Sequence, residues 1–169
     1  MFKDYEGWII HRKRAWTALF SGAHYDYIDF SIVNYCETGT KDSQRYIRAW
    51  IKHLSEFIHT IDLVRARPLT GLLNDQPSRT LESIFGVTGE DYCIYLADER
   101  EIEESGYGES ISGEVKLDLP EGLYNVACYS PETDLYSPLM KLTGGSGVRF
   151  GIPEFQHDVV IRIRRHCGG

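Results

Sequence analysis

The spacing of hydrophobic residues changes once along the chain, near position 80. Before that point, apolar residues recur every three or four positions, as they do on one face of an α-helix, and this predicts two helices. The first is predicted from Trp8 to Ala23, with its end at Gly22. The following stretch, "HYDYIDFSIVN" (24–34), is rich in aromatic and β-branched residues and predicts a short buried strand.

The second predicted helix has the broadest apolar face in the chain. We expect Asp42 or Ser43 to cap its start, and we expect it to end before Pro68, which cannot continue a helix. A linker is predicted over 67–80, because Pro, Gly and Asn punctuate it. The apolar face of the helix consists of Tyr46, Ile47, Trp50, Ile51, Leu54, Phe57, Ile58 and Ile61.

Beyond position 80 the hydrophobic period becomes two, which is typical of β-strands. Strands are predicted over 91–97, 144–154 and 158–165, and a hairpin is predicted over 113–130 with its turn at Pro120-Glu121-Gly122. Short strands at such spacing indicate an antiparallel β-sandwich. The stretch 98–110, "DEREIEESGYGES", is predicted to be a solvated acidic loop.

The fold class predicted from these patterns is therefore α+β, with a helix–strand–helix segment over 1–72 and a β-sandwich over 73–169. A single strand in the first segment would have no partner for its backbone groups unless it belonged to a larger sheet. A complete (β/α)8 barrel takes about 250 residues, so the first segment could hold only the last quarter of one.

Composition excludes several classes of function. The formal net charge is −7 and the basic runs are short, so we expect no nucleic-acid partner. No apolar run reaches the roughly 18 residues of a membrane span, and no export signal opens the chain. If Met1 is the natural start, the protein would be cytoplasmic. The four cysteines and six histidines lack the spacings of a metal site, so no metal and no cofactor are predicted.

Three segments resemble the C-terminal portion of glycoside-hydrolase-like proteins. They are "HRKRAWTALFSGAHYDYIDFSI", "RAWIKHLSEFIHTIDLVRARP" and "GEVKLDLPEGLYNVACYSPETD", with the motifs W-x-x-L-x-S-G-A, F-x-x-x-x-D-L and LDLPEGLY. Proteins of this family combine a (β/α)8 barrel with a small C-terminal β domain. Some members are regarded as glycosidases and others as collagenase-associated binding modules.

The resemblance implies positions for a sugar site. The first helix would be the seventh of the barrel, 24–32 its eighth strand and 46–63 its eighth helix. Sugar rings would stack on Trp8, Tyr25 and Tyr27, and the side chains of Asp29 and Asn34 would bind hydroxyl groups. For Tyr25 and Tyr27, packing between helix and strand explains the rings equally well.

Glycoside hydrolysis needs two carboxyl groups that flank the scissile bond. Relatives tend to carry a Glu shortly before a Tyr-Glu pair at the end of the seventh strand. Here Tyr5-Glu6 is present, but no Glu precedes it. Glu6 is the remaining catalytic candidate, and one acid without a partner cannot supply the pair. We therefore expect no hydrolase activity from this chain alone.

Two other roles remain open. The β half could be a non-enzymatic module that binds carbohydrate or protein through exposed aromatic rings, or it could simply support the helices. The candidate rings are Tyr95, Tyr107, Tyr129 and Tyr136. We also expect a homo-oligomer, because the apolar helix faces would be exposed if neither the β half nor a barrel covered them.

Overall fold

The computed structural model describes residues 4–26 and 40–166. Within these residues the chain forms two helices and eight strands. The helices are α1 (Tyr5–Phe20) and α2 (Lys41–Ile58). The strands are β1 (Arg67–Leu69), β2 (Leu73–Asp75), β3 (Thr80–Val87), β4 (Asp91–Asp98), β5 (Ile111–Ser130), β6 (Leu135–Tyr136), β7 (Met140–Phe155) and β8 (Asp158–Arg165).

Helix α1 has a capping residue before its first turn and a glycine after its last turn. The Asp4 carboxylate accepts a hydrogen bond of 2.9 Å from the Gly7 amide and so caps the first turn. Gly22, with φ of +77°, follows the last turn in the left-handed conformation that favours glycine. The predicted end at Gly22 is confirmed, and the helix starts three residues earlier than the predicted Trp8.

Helix α2 is capped by Thr40, and the prediction of Asp42 or Ser43 as the cap is wrong. The Thr40 hydroxyl accepts from the Ser43 amide at 3.0 Å, and the Ser43 hydroxyl accepts from the Thr40 amide at 2.9 Å. This reciprocal capping box places Ser43 inside the first turn. Since Thr, Ser and Asp all serve as caps, the composition of "TKDS" did not fix the position.

The two helices pack side by side in the same direction. The Tyr5 ring centroid lies 5.1 Å from that of Tyr46, near the start of both helices. The Trp16 ring lies 5.2 Å from the Phe57 ring, near the end of both. Consecutive helices joined by short loops pack antiparallel instead. The connection over 21–40 therefore leads from the end of α1 back to the start of α2.

All strand pairs among the described residues are antiparallel, and they join into one sheet of order β1-β3-β4-β8-β5-β2, with β6 and β7 also paired to β5. The α+β class is thus confirmed in its coarse form, as two helices with a large antiparallel sheet. The predicted strands over 91–97 and 158–165 are confirmed as β4 and β8. Separation into the two sheets of a sandwich stays a prediction.

The predicted hairpin over 113–130 is wrong, because β5 runs through it as one strand. Its two halves do not pair with each other, and both pair with β7. The register with β7 shifts between Leu119 and Leu123, so the Pro120-Glu121-Gly122 segment forms a bulge. Opposite this bulge, a Cβ atom on Gly144 would lie 2.2 Å from the Pro120 carbonyl oxygen, so only glycine fits there.

The predicted linker over 67–80 is also wrong in part. Strand β1 pairs with β3, and β2 pairs with β5, so both short strands belong to the sheet. Proline is tolerated in β1 because an edge strand has no ladder partner on one side. The division of the chain into domains at 72/73 stays a prediction.

Strand β4, in the interior of the sheet, is buried on both faces. On β4, Tyr92, Ile94 and Leu96 belong to one apolar cluster, and Cys93, Tyr95 and Ala97 belong to another that includes helix residues. The first cluster combines residues of β4 and β8 with residues of the first half of β5 and the second half of β7. The sheet is therefore curved, and side chains on its concave face pack against one another. The helix-side cluster consists of Ala15, Trp16, Phe20, Leu54, Phe57, Ile61, Ala66, Phe85, Cys93, Tyr95, Ala97, Tyr129 and Val160.

The apolar helix faces on which the expectation of self-association rested are covered except at Ile51, which is 37% exposed. Trp16 and Trp50 are buried, as are Leu54 and Phe57, against the sheet or against the other helix. The homo-oligomer therefore stays a prediction that has lost this support. Among the described residues, neither helix is long and apolar enough to cross a membrane.

Candidate functional site

A buried ion pair joins α1 to the sheet. Arg12 donates from Nε and Nη2 to the two carboxylate oxygens of Asp158, at 3.0 and 2.8 Å, and the Tyr95 hydroxyl donates to the same carboxylate at 3.0 Å. The side chains of Arg12 and Asp158 are 0% and 1% exposed. Such fork geometry is the strongest form of the pair. It fixes the N-terminal half of α1 against the first residue of β8.

The network continues to the turn after β5. Glu132 lies 3.6 Å from Arg12 and accepts a hydrogen bond from the Tyr5 hydroxyl, while the Arg12 guanidinium sits 4.6 Å from the Trp50 ring centroid. Burial and the neighbouring Glu132 carboxylate raise the pKa of Tyr5. Arg12 thus contacts both helices and the sheet. The basic run "HRKR" is accordingly no surface patch, since His11 and Arg12 are buried.

Glu6, the catalytic candidate, lies in the first turn of α1 and is exposed. Its Oε2 is 3.9 Å from Nε2 of His157, which is buried in the turn between β7 and β8. Burial and the positive charge of Arg12 lower the pKa of His157. The Tyr107 ring covers this histidine at 5.2 Å. The other two carboxylates that act on His157, Asp158 and Glu132, are both paired with Arg12.

The other predicted sugar-binding residues lie in different surroundings. The Trp8 ring is buried and stacks 6.3 Å from Tyr46. Tyr25 is partly buried against the helix-side cluster, with its hydroxyl 2.9 Å from Nδ1 of His11. Tyr27, Asp29 and Asn34 lie outside the described residues, as does most of the predicted strand. Their roles, like that of Glu6, stay predictions.

Of the four tyrosines considered for the β half, Tyr136 is the most exposed. Tyr95 and Tyr129 are buried in the helix-side cluster, and Tyr107 is half-buried beside His157. Tyr136 is 51% exposed, and its ring centroid lies 4.8 Å from that of Tyr129, with the two rings tilted by 51°. A half-exposed aromatic ring that packs on a buried one is suited to contact with a ligand.

Tyr136 lies between two grooves of different charge. On one side is a groove of about 350 Å³, which we call the arginine groove; its lining is Asn125, Ala127, Tyr136, Ser137, Leu139, Arg162 and Arg164. On the other side is a groove of about 360 Å³, which we call the acidic groove, and its lining includes Glu132, Glu154 and Asp158. Both volumes suit one small ligand.

The arginine groove follows from the register of β5 and β8. Ala127 pairs with Arg162, and Asn125 pairs with Arg164, so small side chains on β5 form a floor beside two long side chains on β8. Strand β6 pairs with the end of β5 and places Tyr136 and then Leu139 on the opposite side. Leu139 is also exposed and extends the apolar border of this groove, while exposed Leu135 lines the acidic groove.

The two arginines of the groove are held differently. Arg162 donates to Asp91 from Nε at 2.8 Å and to Thr60 from Nη2 at 3.1 Å, and it is buried. Arg164 donates from Nη2 to the Thr60 carbonyl oxygen at 3.1 Å, lies 3.7 Å from Asp91, and is 50% exposed. Two guanidinium groups thus share one carboxylate, which leaves a positive charge at the groove.

No group of three or more potential metal ligands occurs among the described residues. Cys93 and Cys128 are buried without a disulfide bond, and burial raises the pKa of their thiols to about 12 and about 11, so neither is suited to nucleophilic chemistry.

The predicted acidic loop over 98–110 is less exposed to solvent than predicted, because Asp98 and Arg100 form a buried ion pair at 2.8 Å.

Sequence reasoning placed Tyr136 among the candidates but missed the groove beside it. The run "RIRR" shows alternation in β8, which puts Arg162 and Arg164 on one face. The pairing of β8 with β5, which supplies the floor, has no local sequence signal. Arg12 was missed because its partner Asp158 is 146 residues away.

Comparison with known proteins gives a likeness in fold only. No protein-family model and no curated protein matches the sequence. Among solved structures, a glycoside hydrolase superposes with a TM-score of 0.61 at 14% identity, over 94% of this chain and 37% of its own. A family 5 glycoside hydrolase from Bacteroides vulgatus ATCC 8482 gives 0.59 at 13%, over 94% and 36%. The chain thus spans little more than a third of these structures.

Proposed function

We propose that the chain is a glycoside-hydrolase-like unit, which supplies one wall of a sugar cleft together with an accessory β domain, and that it is not hydrolytic by itself. Support comes from the fold shared with glycoside hydrolases over 94% of the chain. Because those proteins are far longer, the groups that complete a cleft would come from polypeptide that this chain does not contain.

The parallel packing of α1 and α2 is the observation that carries this proposal. In an α/β barrel, successive helices run in the same direction because a strand returns the chain between them. Helix α1 has 16 residues and is about 24 Å long. A connection of twenty residues can span more than twice that length. Tyr25 to Ile32 fall in this connection, where the eighth strand was predicted.

The chemistry of the described carboxylates supports inactivity. A glycosidase pair must flank the bond, with both groups reaching the sugar. Asp158 is buried under Arg12 and Tyr95. Glu132 is engaged by Arg12 and Tyr5. Within this network neither carboxylate is as accessible as Glu6, because the side chains of Asp158 and Glu132 are 1% and 36% exposed and that of Glu6 is 48% exposed.

Hydrolysis assays on the purified chain test the proposal. We expect release of nitrophenol from a panel of aryl α- and β-glycosides to equal the buffer blank, and Glu6→Gln to give the same result. The control is a family 5 glycoside hydrolase assayed in parallel. Turnover by the chain that Glu6→Gln abolishes would contradict the proposal and would make Glu6 catalytic.

A second candidate function is carbohydrate binding by the β half, and the position of Tyr136 between two grooves favours it. A supported aromatic ring flanked by hydrogen-bonding side chains is a common arrangement for a small-molecule site. Glycan-array binding should then be lost in Tyr136→Ala and kept in Leu81→Ala, a matched change at another exposed apolar residue. Loss in Tyr25→Ala with retention in Tyr136→Ala would favour the barrel wall as the binding surface.

A further inference from the structure

We propose that the arginine groove binds one sugar residue that carries a carboxylate, such as a hexuronic acid, with the ring on Tyr136 and the carboxylate on Arg164. The inference rests on the carbohydrate-binding role proposed above and specifies its ligand class.

The shape of the groove limits the ligand to about one sugar ring. Its volume is about 350 Å³, near the lower end of the range for ligand pockets. The floor is low because Ala127 stands opposite Arg162 in the register of β5 and β8. A pyranose ring lying on Tyr136 would therefore have its edge directed across the floor towards the arginine side.

The charge of the groove selects an anion. Among its lining residues none is acidic, and Arg162 and Arg164 share the single carboxylate of Asp91, which lies beyond the lining. Burial raises the pKa of Tyr136, while the two guanidinium groups act to lower it and Asp134 acts to raise it. The rest of the chain is strongly acidic, with a formal net charge of −7. A local positive groove on an acidic protein favours a ligand with localised negative charge.

Arg164 is the group suited to hold that charge. Arg162 is buried, with its donors directed to Asp91 and Thr60. Arg164 is half-exposed; its Nη2 donates to the Thr60 backbone carbonyl oxygen, and its Nε lies 3.7 Å from Asp91. The planar guanidinium fork matches a carboxylate better than a spherical charge does.

Neutral hydroxyl groups of the sugar also find partners in the lining. The Asn125 amide lies 3.3 Å from Nδ1 of His166 and keeps a carbonyl oxygen that can accept. The Ser137 hydroxyl accepts from the Cys128 amide at 2.9 Å and donates to the Pro138 carbonyl oxygen at 3.3 Å, so it can offer a sugar hydroxyl one further acceptor site. In the neighbouring acidic groove Asp158 and Glu132 are paired with Arg12, but the exposed Glu154 would repel the same ligand, so the carboxylate has one preferred side of Tyr136.

Titration of the full chain by NMR tests the inference, with galacturonic acid, galactose, galactose 6-sulfate and sodium acetate as separate probes. We expect galacturonic acid to bind most tightly. Arg164→Gln should weaken its binding about tenfold, in keeping with loss of a hydrogen bond to a charged group. Tyr136→Ala should abolish it. Raising the salt concentration should weaken it as well.

Matched variants separate a specific role from a general change of charge. Arg165→Gln removes the same charge one residue further along β8, where the side chain points to the opposite face. It should leave galacturonic acid binding within about twofold of the parent chain. Arg164→Lys keeps the charge without the fork and should give an intermediate affinity. Circular dichroism checks that each variant is folded.

Each contrary result has a distinct meaning. Equal binding of galactose and galacturonic acid through Tyr136 would overturn this inference and leave the carbohydrate-binding role intact. Acetate binding as tightly as galacturonic acid would reduce the groove to a simple anion site, and tighter binding of galactose 6-sulfate would replace the carboxylate by a sulfate ester. Absence of binding by every sugar would overturn both the inference and the carbohydrate-binding role.

Discussion

Replacement of Arg12 by methionine is the sharpest test of how the helices are attached to the sheet. The substitution keeps an unbranched side chain but leaves the buried Asp158 carboxylate without its cation. Removing one partner of a buried ion pair typically costs about 3–5 kcal/mol. The cation–π contact between Arg12 and Trp50 adds to the loss. A loss of this size is a large fraction of the total stability of a single domain.

The assay is urea unfolding followed by tryptophan fluorescence, since Trp50 lies against Arg12. The matched control is Arg65→Met. Arg65 also pairs with a carboxylate, Glu90, by a bond of 2.8 Å, but both side chains are 53% exposed. Exposed pairs contribute at most about 1 kcal/mol, so the control should differ little from the parent chain.

A double substitution separates the unpaired charge from the lost packing. Arg12→Met with Asp158→Leu removes both charged groups, so its loss should be smaller than the sum of the two single losses. If Arg12→Met costs no more than Arg65→Met, the buried pair does not hold α1 on the sheet and the reasoning is refuted.

Three further predictions concern other parts of the structure. In Gly144→Ala the new methyl group would lie 2.2 Å from the Pro120 carbonyl oxygen, and we expect the free energy of unfolding in urea to fall by about 1–3 kcal/mol. Gly71→Ala is the control: its methyl group enters open space at φ +71°, so only the backbone conformation should cost stability, by about 1 kcal/mol. Equal losses in the two variants would contradict the close approach at Gly144. Thr40→Ala removes the cap of α2 and should cost about 1 kcal/mol in thermal unfolding, so an unchanged Tm would count against the capping box. Because the pKa of His157 is lowered, the unfolded chain takes up a proton below about pH 6.5 that the folded chain does not. The free energy of unfolding should therefore fall as the pH drops through that value. In His157→Asn the fall should be weaker, and asparagine tolerates the left-handed backbone at φ +52°. The same dependence of stability on pH in both chains would contradict this role of His157.

Local patterns predicted the elements well where a single period dominates. The three- and four-residue spacing around Trp16 and Trp50 predicted both helices and their buried faces, and both rings are buried. The alternation in β4 and β8 predicted two strands, because successive side chains point to opposite faces.

The failures of the sequence reasoning concern pairing between distant segments. Pro120-Glu121-Gly122 has the composition of a hairpin turn, yet β5 continues through it because β7 provides a partner for both of its halves. A bulge and a turn use the same residues, and the choice between them depends on a strand that follows later in the chain.

The candidate site was predictable only in part for the same reason. Tyr136 can be identified from sequence as a candidate aromatic ring, but its exposure depends on the pairing of β6 with the end of β5. The charge at the groove depends on Asp91 and Arg162, which are 71 positions apart. No periodicity of the chain connects such residues.

A pair of distances between spin labels tests the observation on which the proposed relation to an α/β barrel depends, namely that α1 and α2 run in the same direction. The background would carry Cys36→Ser and Cys167→Ser, while buried Cys93 and Cys128 should not react with the label. One sample is labelled at Thr17→Cys and Ser55→Cys, and the other at Thr17→Cys and Asp42→Cys.

Thr17 lies near the end of α1, level with the end of α2, where Trp16 contacts Phe57. Asp42 and Ser55 are separated by about 20 Å along α2. If the helices run in the same direction, the distance from Thr17 to Ser55 is the shorter one, by about 10 Å or more. A shorter distance from Thr17 to Asp42 would mean that the helices form an ordinary antiparallel pair, and the proposed relation to an α/β barrel would then be wrong.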